Sequence, residues 1–98
     1  MKKVHNTYKS QKLIKVFLEY DEVNNIIHSI TITGDFFLYP EESLDEIERN
    51  LIGTKLEKNS IKQQIQKSLN NSEAFGFDPE SMTEAILQCL IQKNEFQV

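Results

Sequence analysis

The sequence predicts a small α+β domain, in which an antiparallel sheet of two to three strands is followed by three helices packed on one face of the sheet. Two patterns indicate this class. Apolar residues alternate with polar ones up to residue 33, and from residue 44 they recur at helical spacing. A length of 98 residues suits one domain over residues 1–98, because a chain of this size is too short to bury two cores.

Two strands and the turn between them come first in this prediction. In residues 12–20, KLIKVFLEY, apolar side chains occupy every second position, and residues 26–33, IIHSITIT, repeat the pattern with β-branched residues. Asn24 and Asn25 lie between the two segments and can adopt the left-handed conformation that a tight turn requires. The preceding VHNTYK is predicted to form a third strand that turns back near Ser10.

The first helix follows a strand-to-helix junction. Leu44, Ile47 and Leu51 lie three and four residues apart, which places them on one helical stripe. Pro40 favours the approach of the chain to this helix, and Gly53 is a natural stop at its end.

Start signals mark all three helices. The spacing of a capping box occurs at 43–46 and at 60–63, and an Asp-Pro pair at 78–79 suits the first turn of the third helix. We expect Phe75 and Phe77, which precede that pair, to plug the open end of the core. The buried stripes of the second and third helices are predicted to be Ile61, Ile65 and Leu69, and then Met82, Ile86, Cys89 and Leu90.

Composition and charge exclude several classes of function. No apolar run approaches the ~20 residues of a membrane helix, and the lysine-rich start has no apolar stretch typical of a secretory signal. Together with the single cysteine, this leads us to expect a cytoplasmic protein with no membrane partner. The net charge is −4, with lysines gathered in residues 1–18 and six acids in residues 35–49, so we expect no nucleic-acid partner.

The reactive side chains do not form a recognisable active site. His28 lies on a predicted strand, and His5 is the only other histidine. Cys89 lies within a predicted apolar stripe, where a thiol behaves as a small hydrophobic group. Three glycines cannot make a phosphate-binding loop of either standard kind. We therefore predict no catalytic residue, no metal site and no cofactor bound by this chain alone.

The junction before the first helix is unusually apolar. Gly34 permits a backbone conformation that other residues resist, and the Asp35 carboxylate can accept backbone N–H groups there. Neighbouring side chains of an extended segment point to opposite sides, so at least one aromatic ring of this junction is expected to face outward and could anchor a partner. The alternative is that the rings cover the end of the sheet. The bulky residues in question are Phe36, Phe37, Leu38 and Tyr39.

The stretch GDFFLYPEESLDEIERNLIG, with the hairpin before it, resembles the accessory domain of lipoate–protein ligases. In that family the domain is a separate small chain in some prokaryotes and the C-terminal domain of a single-chain ligase elsewhere. The segments that carry the resemblance are KLIKV at 12–16, the strand and Gly-Asp-Phe-Phe at 27–37, Pro-Glu-Glu at 40–42, and Leu-Ile-Gly at 51–53.

The resemblance implies a non-catalytic accessory subunit of a two-subunit ligase. The catalytic subunit would activate lipoate with ATP and magnesium to lipoyl-adenylate, and would then lipoylate acceptor domains. The accessory chain would be required for the activation step. On this basis we predict that the four bulky residues of the junction dock on the catalytic subunit, with Lys12 as a second contact. Gly34, Asp35, Pro40 and Gly53 would be the structural residues of the motif.

Two alternatives belong to other classes. An iron–sulfur scaffold or sulfur-acceptor domain also sets a small sheet against helices, but it needs several thiolates or one exposed thiolate, whereas this chain has one cysteine in a helical stripe. The second alternative is an adaptor that uses the same aromatic residues to bind some other protein. Only the family resemblance favours the ligase subunit over this adaptor.

Overall fold

The chain is described by a computed structural model over residues 1–91, so residues 92–98 of the predicted domain lie outside the described residues. The elements follow in the order β1 (Lys2–Lys9), β2 (Leu13–Asp21), β3 (Ile26–Gly34), β4 (Phe37–Tyr39), α1 (Glu42–Leu51), α2 (Lys58–Ser68), β5 (Glu73–Phe75), α3 (Pro79–Leu87) and a 3₁₀ helix (Gln88–Ile91). The α+β class predicted from the sequence is confirmed.

The main sheet contains three antiparallel strands in the order β1-β2-β3, so the predicted hairpin and the third strand are both confirmed. In its central row, Val16 of β2 pairs with Asn6 of β1 on one side and with Ile32 of β3 on the other. At the β2–β3 turn the Asp21 carboxylate accepts the N–H of Val23 at 2.9 Å. Asn25 adopts a left-handed φ of 58°, as the tight turn requires.

The helices cover one face of this sheet. Helix α1 packs on β3, helix α3 packs on β2 and β1, and helix α2 lies against both of the other helices. The core between the helices and the sheet is made of aliphatic side chains from every one of these layers, including Ile14, Val16, Ile32, Ile47, Leu51, Ile61, Ile65, Met82 and Ile86. The opposite face of the sheet carries side chains such as Phe17, which is 50% exposed.

Both predicted serine capping boxes are wrong. Helix α1 begins at Glu42, so Ser43 lies inside the first turn, where its buried hydroxyl is 2.7 Å from the hydroxyl of Ser72. Helix α2 begins at Lys58, and the Ser60 hydroxyl donates to the side chain of Glu57 at 3.3 Å. In both cases a tertiary or local side-chain contact takes the hydroxyl that the sequence pattern assigned to the helix backbone.

The predicted start of the third helix is confirmed. The Asp78 carboxylate accepts the N–H of Ser81 at 2.7 Å, and the Ser81 hydroxyl accepts the N–H of Asp78 at 3.0 Å. This reciprocal pair is a capping box, and Pro79 occupies the first turn behind it.

A second, two-stranded sheet was not predicted. Strands β4 and β5, which we call the ribbon, pair antiparallel with Phe37 opposite Phe75 and Tyr39 opposite Glu73. The prediction that Phe75 and Phe77 both plug the core is wrong for Phe75, because its side chain lies on the outer face of the ribbon. Phe77 is buried as predicted.

Glu80 of α3 joins the two helices that lie side by side over the core. Its carboxylate contacts the ammonium of Lys62 at 2.8 Å and that of Lys58 at 2.9 Å, both on α2. Hydrogen bonds from Lys62 and Lys58 lower the pKa of Glu80 from 4.5 to about 2. The ionised carboxylate is therefore favoured in the folded chain.

We predict that Glu80→Gln lowers the melting temperature at neutral pH. Because the folded-state pKa is depressed, the stabilising contribution is present above pH 4.5 and disappears as pH falls towards about 2. Thermal unfolding across this range should show the gap between wild type and variant closing with acidification. Glu46→Gln serves as control, since Glu46 is exposed and has no ion pair within residues 1–91. A gap that is independent of pH would contradict the assignment.

Candidate functional site

The site begins where β3 leaves the main sheet. Gly34 pairs with Ile14 of β2, and a side chain at position 34 would collide with the carbonyl oxygen of Leu13. The N–H of Asp35 donates to that same oxygen at 3.0 Å. The expectation that the Asp35 carboxylate accepts backbone N–H groups is wrong, because within residues 1–91 this carboxylate makes no hydrogen bond and the backbone amide of Asp35 holds the exit instead.

The residues after this exit alternate in direction, as the extended geometry predicts. Phe36 is half-buried, and its ring forms a T-shaped pair with that of Phe77, with centroids 4.9 Å apart. Phe37 is 62% exposed, Leu38 is 7% exposed, and Tyr39 is 53% exposed. The expectation of at least one outward ring is confirmed. Leu38 lies on the inner face of the ribbon and packs into the core, and its contact with a partner stays a prediction.

A third outward ring comes from a distant part of the sequence. Phe75 of β5 lies directly opposite Phe37 and is 54% exposed. We refer to Phe37, Tyr39 and Phe75 as the aromatic patch. Sequence reasoning missed Phe75 because a strand of three residues gives too short an alternation to be distinguished from a loop.

Lys12 lies beside this junction, as predicted. Its N–H donates to the carbonyl of Gly76 at 3.3 Å, and its aliphatic stem covers Gly76 so closely that a β-carbon there would lie 2.6 Å from the Lys12 Cγ. Gly76 has a φ of +99°, which also favours glycine. The contact of Lys12 with a partner stays a prediction.

The other two structural residues fix the helix that follows. Pro40 comes after a cis peptide bond with Tyr39, and its carbonyl accepts the N–H of Ser43 at 2.9 Å in the first turn of α1. Gly53 has a φ of +85° just after α1, and its N–H donates to the carbonyl of Ile27 at 2.8 Å. The predicted stop at Gly53 is therefore confirmed, and it ties the end of α1 to β3.

The cysteine and the two histidines lie apart from this site. Cys89 is 1% exposed, with its sulfur 3.7 Å from the Ala85 carbonyl, and burial raises the pKa of the thiol to about 12. His5 lies on the open face of the sheet with its ring 6.0 Å from Phe17, and His28 is exposed on β3. Within the described residues no three His, Cys, Asp or Glu side chains gather closely enough to hold a metal ion.

Comparison with known proteins gives a consistent result. The family model of the bacterial lipoate protein ligase C-terminus matches residues 7–90. Lipoate-protein ligase A subunit 2 of Thermoplasma acidophilum is 37% identical over 81 residues, which are 81% of this chain and 82% of that protein.

A solved structure agrees with the sequence match. A chain from the structure of an archaeal bi-partite lipoate protein ligase and its E2 lipoyl domain, from Thermoplasma acidophilum, superimposes with a TM-score of 0.76 at 33% identity. The match covers 87% of this chain and 94% of that chain.

None of the helices formed by residues 1–91 is both long and apolar enough to cross a membrane.

We predict that Gly34→Ala destabilises the chain more than Gly53→Ala. The first change forces a β-carbon into the Leu13 carbonyl and should lower the free energy of unfolding by roughly 3 kcal/mol or more. The second meets no atom within 4 Å and should cost only the strain of a positive φ, about 1–2 kcal/mol. Urea unfolding of both variants measures the difference, and equal losses would refute the steric explanation.

We predict that Cys89 in the folded chain reacts with iodoacetamide on the order of a hundredfold more slowly than in the unfolded chain, because the thiol is buried and protonated. The chain unfolded in guanidinium provides the reference rate for the same thiol. Rapid modification of the native protein would instead support the sulfur-acceptor alternative.

Proposed function

Because the chain belongs to the family of the bacterial lipoate protein ligase C-terminus, we propose that it is the accessory subunit of a two-subunit lipoate–protein ligase. The Thermoplasma relative is named subunit 2 of lipoate-protein ligase A, and the similar solved chain comes from the structure of a bi-partite ligase. In this proposal the catalytic subunit binds lipoate, ATP and magnesium, and the present chain completes it for the formation of lipoyl-adenylate.

The aromatic patch is the observation that supports a binding role best. Three large rings remain half or more exposed on a ribbon whose other face is packed on the core. Burying a ring of this type on association contributes roughly 1.5–3 kcal/mol before the entropic cost of binding, so a patch of this kind can anchor a partner. We take the catalytic subunit of the ligase to be this partner, because the chain belongs to the family of the lipoate protein ligase C-terminus.

The contribution of this chain to the reaction would be structural. A subunit that docks beside the active site can order loops of the catalytic subunit around the adenylate and keep water from hydrolysing it. Lipoyl acceptor domains would be met by the assembled complex, as the pairing of the Thermoplasma ligase with its E2 lipoyl domain suggests. We include in this proposal that the chain is located in the cytoplasm.

We predict that the catalytic subunit from the same organism forms lipoyl-adenylate at a rate at least about tenfold higher when this chain is present, which corresponds to about 1.4 kcal/mol of the activation barrier. Trapping the adenylate with hydroxylamine, or following lipoate-dependent release of pyrophosphate, measures the step apart from transfer. An equal rate with and without the chain would overturn the proposal.

Variants of the chain make this experiment more specific. Phe37→Ala should require a higher concentration of the chain to reach the same stimulation, because an anchor ring is lost. Phe17→Ala is the matched control, since Phe17 is a comparably exposed ring on the open face of the main sheet. Its stimulation curve should coincide with that of the wild type.

A further inference from the structure

The outer face of the ribbon carries four side chains in two cross-strand pairs. Phe37 lies opposite Phe75 in one row, and Tyr39 lies opposite Glu73 in the next. The inner face of the ribbon carries Leu38, which packs into the core. The outer face therefore combines three aromatic rings with one carboxylate, and folding brings them together from two separate segments of the chain.

Next to the rings is a shallow apolar groove. It has a volume of about 280 Å³ and lies between Phe37, Tyr39 and Glu41. Its remaining lining is the inward-turned series Phe36, Leu38 and Leu44. A groove of this size can receive one apolar side chain, or the stem of a long basic one, from a partner.

The border of the patch is strongly acidic. Tyr39 shares a second surface depression with Glu41, Glu42 and Asp45, and Glu73 lies across the ribbon from Tyr39. We call these four carboxylates the acidic rim. None of them forms an ion pair within residues 1–91, so each can pair with a cationic side chain of a partner.

We propose that the aromatic patch and the acidic rim form one docking surface, and that the catalytic subunit meets it with an apolar surface bordered by lysine or arginine. Phe75, as well as Phe37, anchors this contact. The inference rests on the proposed function for the identity of the partner, and it adds the chemistry of the interface. Complementary charge at the rim would accelerate encounter, while the rings would slow dissociation.

Charge also argues against the other occupants of this surface. A symmetric dimer through the patch would place two acidic rims against each other, and each rim carries the same sign as the net charge of −4. Nucleic acid and anionic membranes present phosphates, which the rim repels. Of these partners, a protein surface with basic side chains is the one that complements both the aromatic rings and the acidic rim.

The test is binding of purified variants to the catalytic subunit at low and at high salt, with rate constants measured separately. Phe75→Ala should raise Kd about tenfold or more, mainly through faster dissociation. The triple variant Glu41→Gln, Glu42→Gln, Asp45→Asn should associate about tenfold more slowly at low salt and lose most of the salt dependence of the wild type.

Two controls separate these effects from altered folding and from net charge. Phe17→Ala removes a comparably exposed ring outside the patch and should leave Kd unchanged. A triple variant of Glu22, Glu57 and Glu84 to Gln removes the same charge elsewhere on the chain and should retain a fast, salt-dependent association. Melting temperatures confirm that each variant is folded.

The outcomes distinguish this inference from the proposed function. Tight binding of the wild type with unchanged Kd for Phe75→Ala, or with salt dependence unaltered by the rim variant, would overturn the inference and leave the proposed function standing. Failure of the wild-type chain to bind the catalytic subunit would overturn both. Concentration-dependent dimerisation that Phe75→Ala abolishes would assign the surface to a second copy and would also overturn it.

Discussion

The contact on which the candidate site depends is the close approach of two strands at Gly34. The carbonyl oxygen of Leu13 occupies the space that a side chain at position 34 would need, and it accepts the N–H of Asp35. That contact fixes the direction in which the chain leaves the sheet. Because extended residues alternate, the direction at Asp35 decides which of the following side chains turn inward and which turn to solvent. The outward direction of Phe37 and Tyr39 is therefore a consequence of backbone packing at Gly34, three residues before Phe37.

The inward side chains hold the outward ones in place. Leu38 of β4 is buried, Ala74 opposite it is partly buried against the core, and Phe36 and Phe77 beside the ribbon form a T-shaped ring pair, so the inner face of the ribbon lies on the core. The rings on the other face are presented by a backbone that hydrogen-bonds between β4 and β5. A surface that is already ordered loses little conformational entropy on association, so more of the energy of burying the rings is retained as affinity.

Local signals in the sequence predicted most of the fold and two of the three rings of the aromatic patch. The alternation of β2 and β3, the Asp-Pro start of α3 and the stop at Gly53 are each encoded within a few residues, and each is confirmed. The pairing of Phe37 with Phe75 was missed, because it joins two three-residue strands that are far apart in the chain. The capping box predicted at Ser43 failed for a related reason, because the Ser43 hydroxyl is taken by Ser72, a distant partner that no local pattern reveals.

The hydrogen bond from Lys12 to Gly76 has a consequence for how this chain can take part in a catalytic cycle. It fastens the β1–β2 turn to the residue that follows β5, while the Asp35–Leu13 bond holds the chain shortly before β4. Both bonds lie at the end of the ribbon where Phe37 pairs with Phe75. At the other end, the hydroxyl of Ser43 at the start of α1 is 2.7 Å from that of Ser72, which precedes β5. With contacts at each end, we expect the ribbon to turn together with the sheet as a rigid body. Any reorientation relative to a larger subunit must then come from sliding or release at the surface between the two proteins.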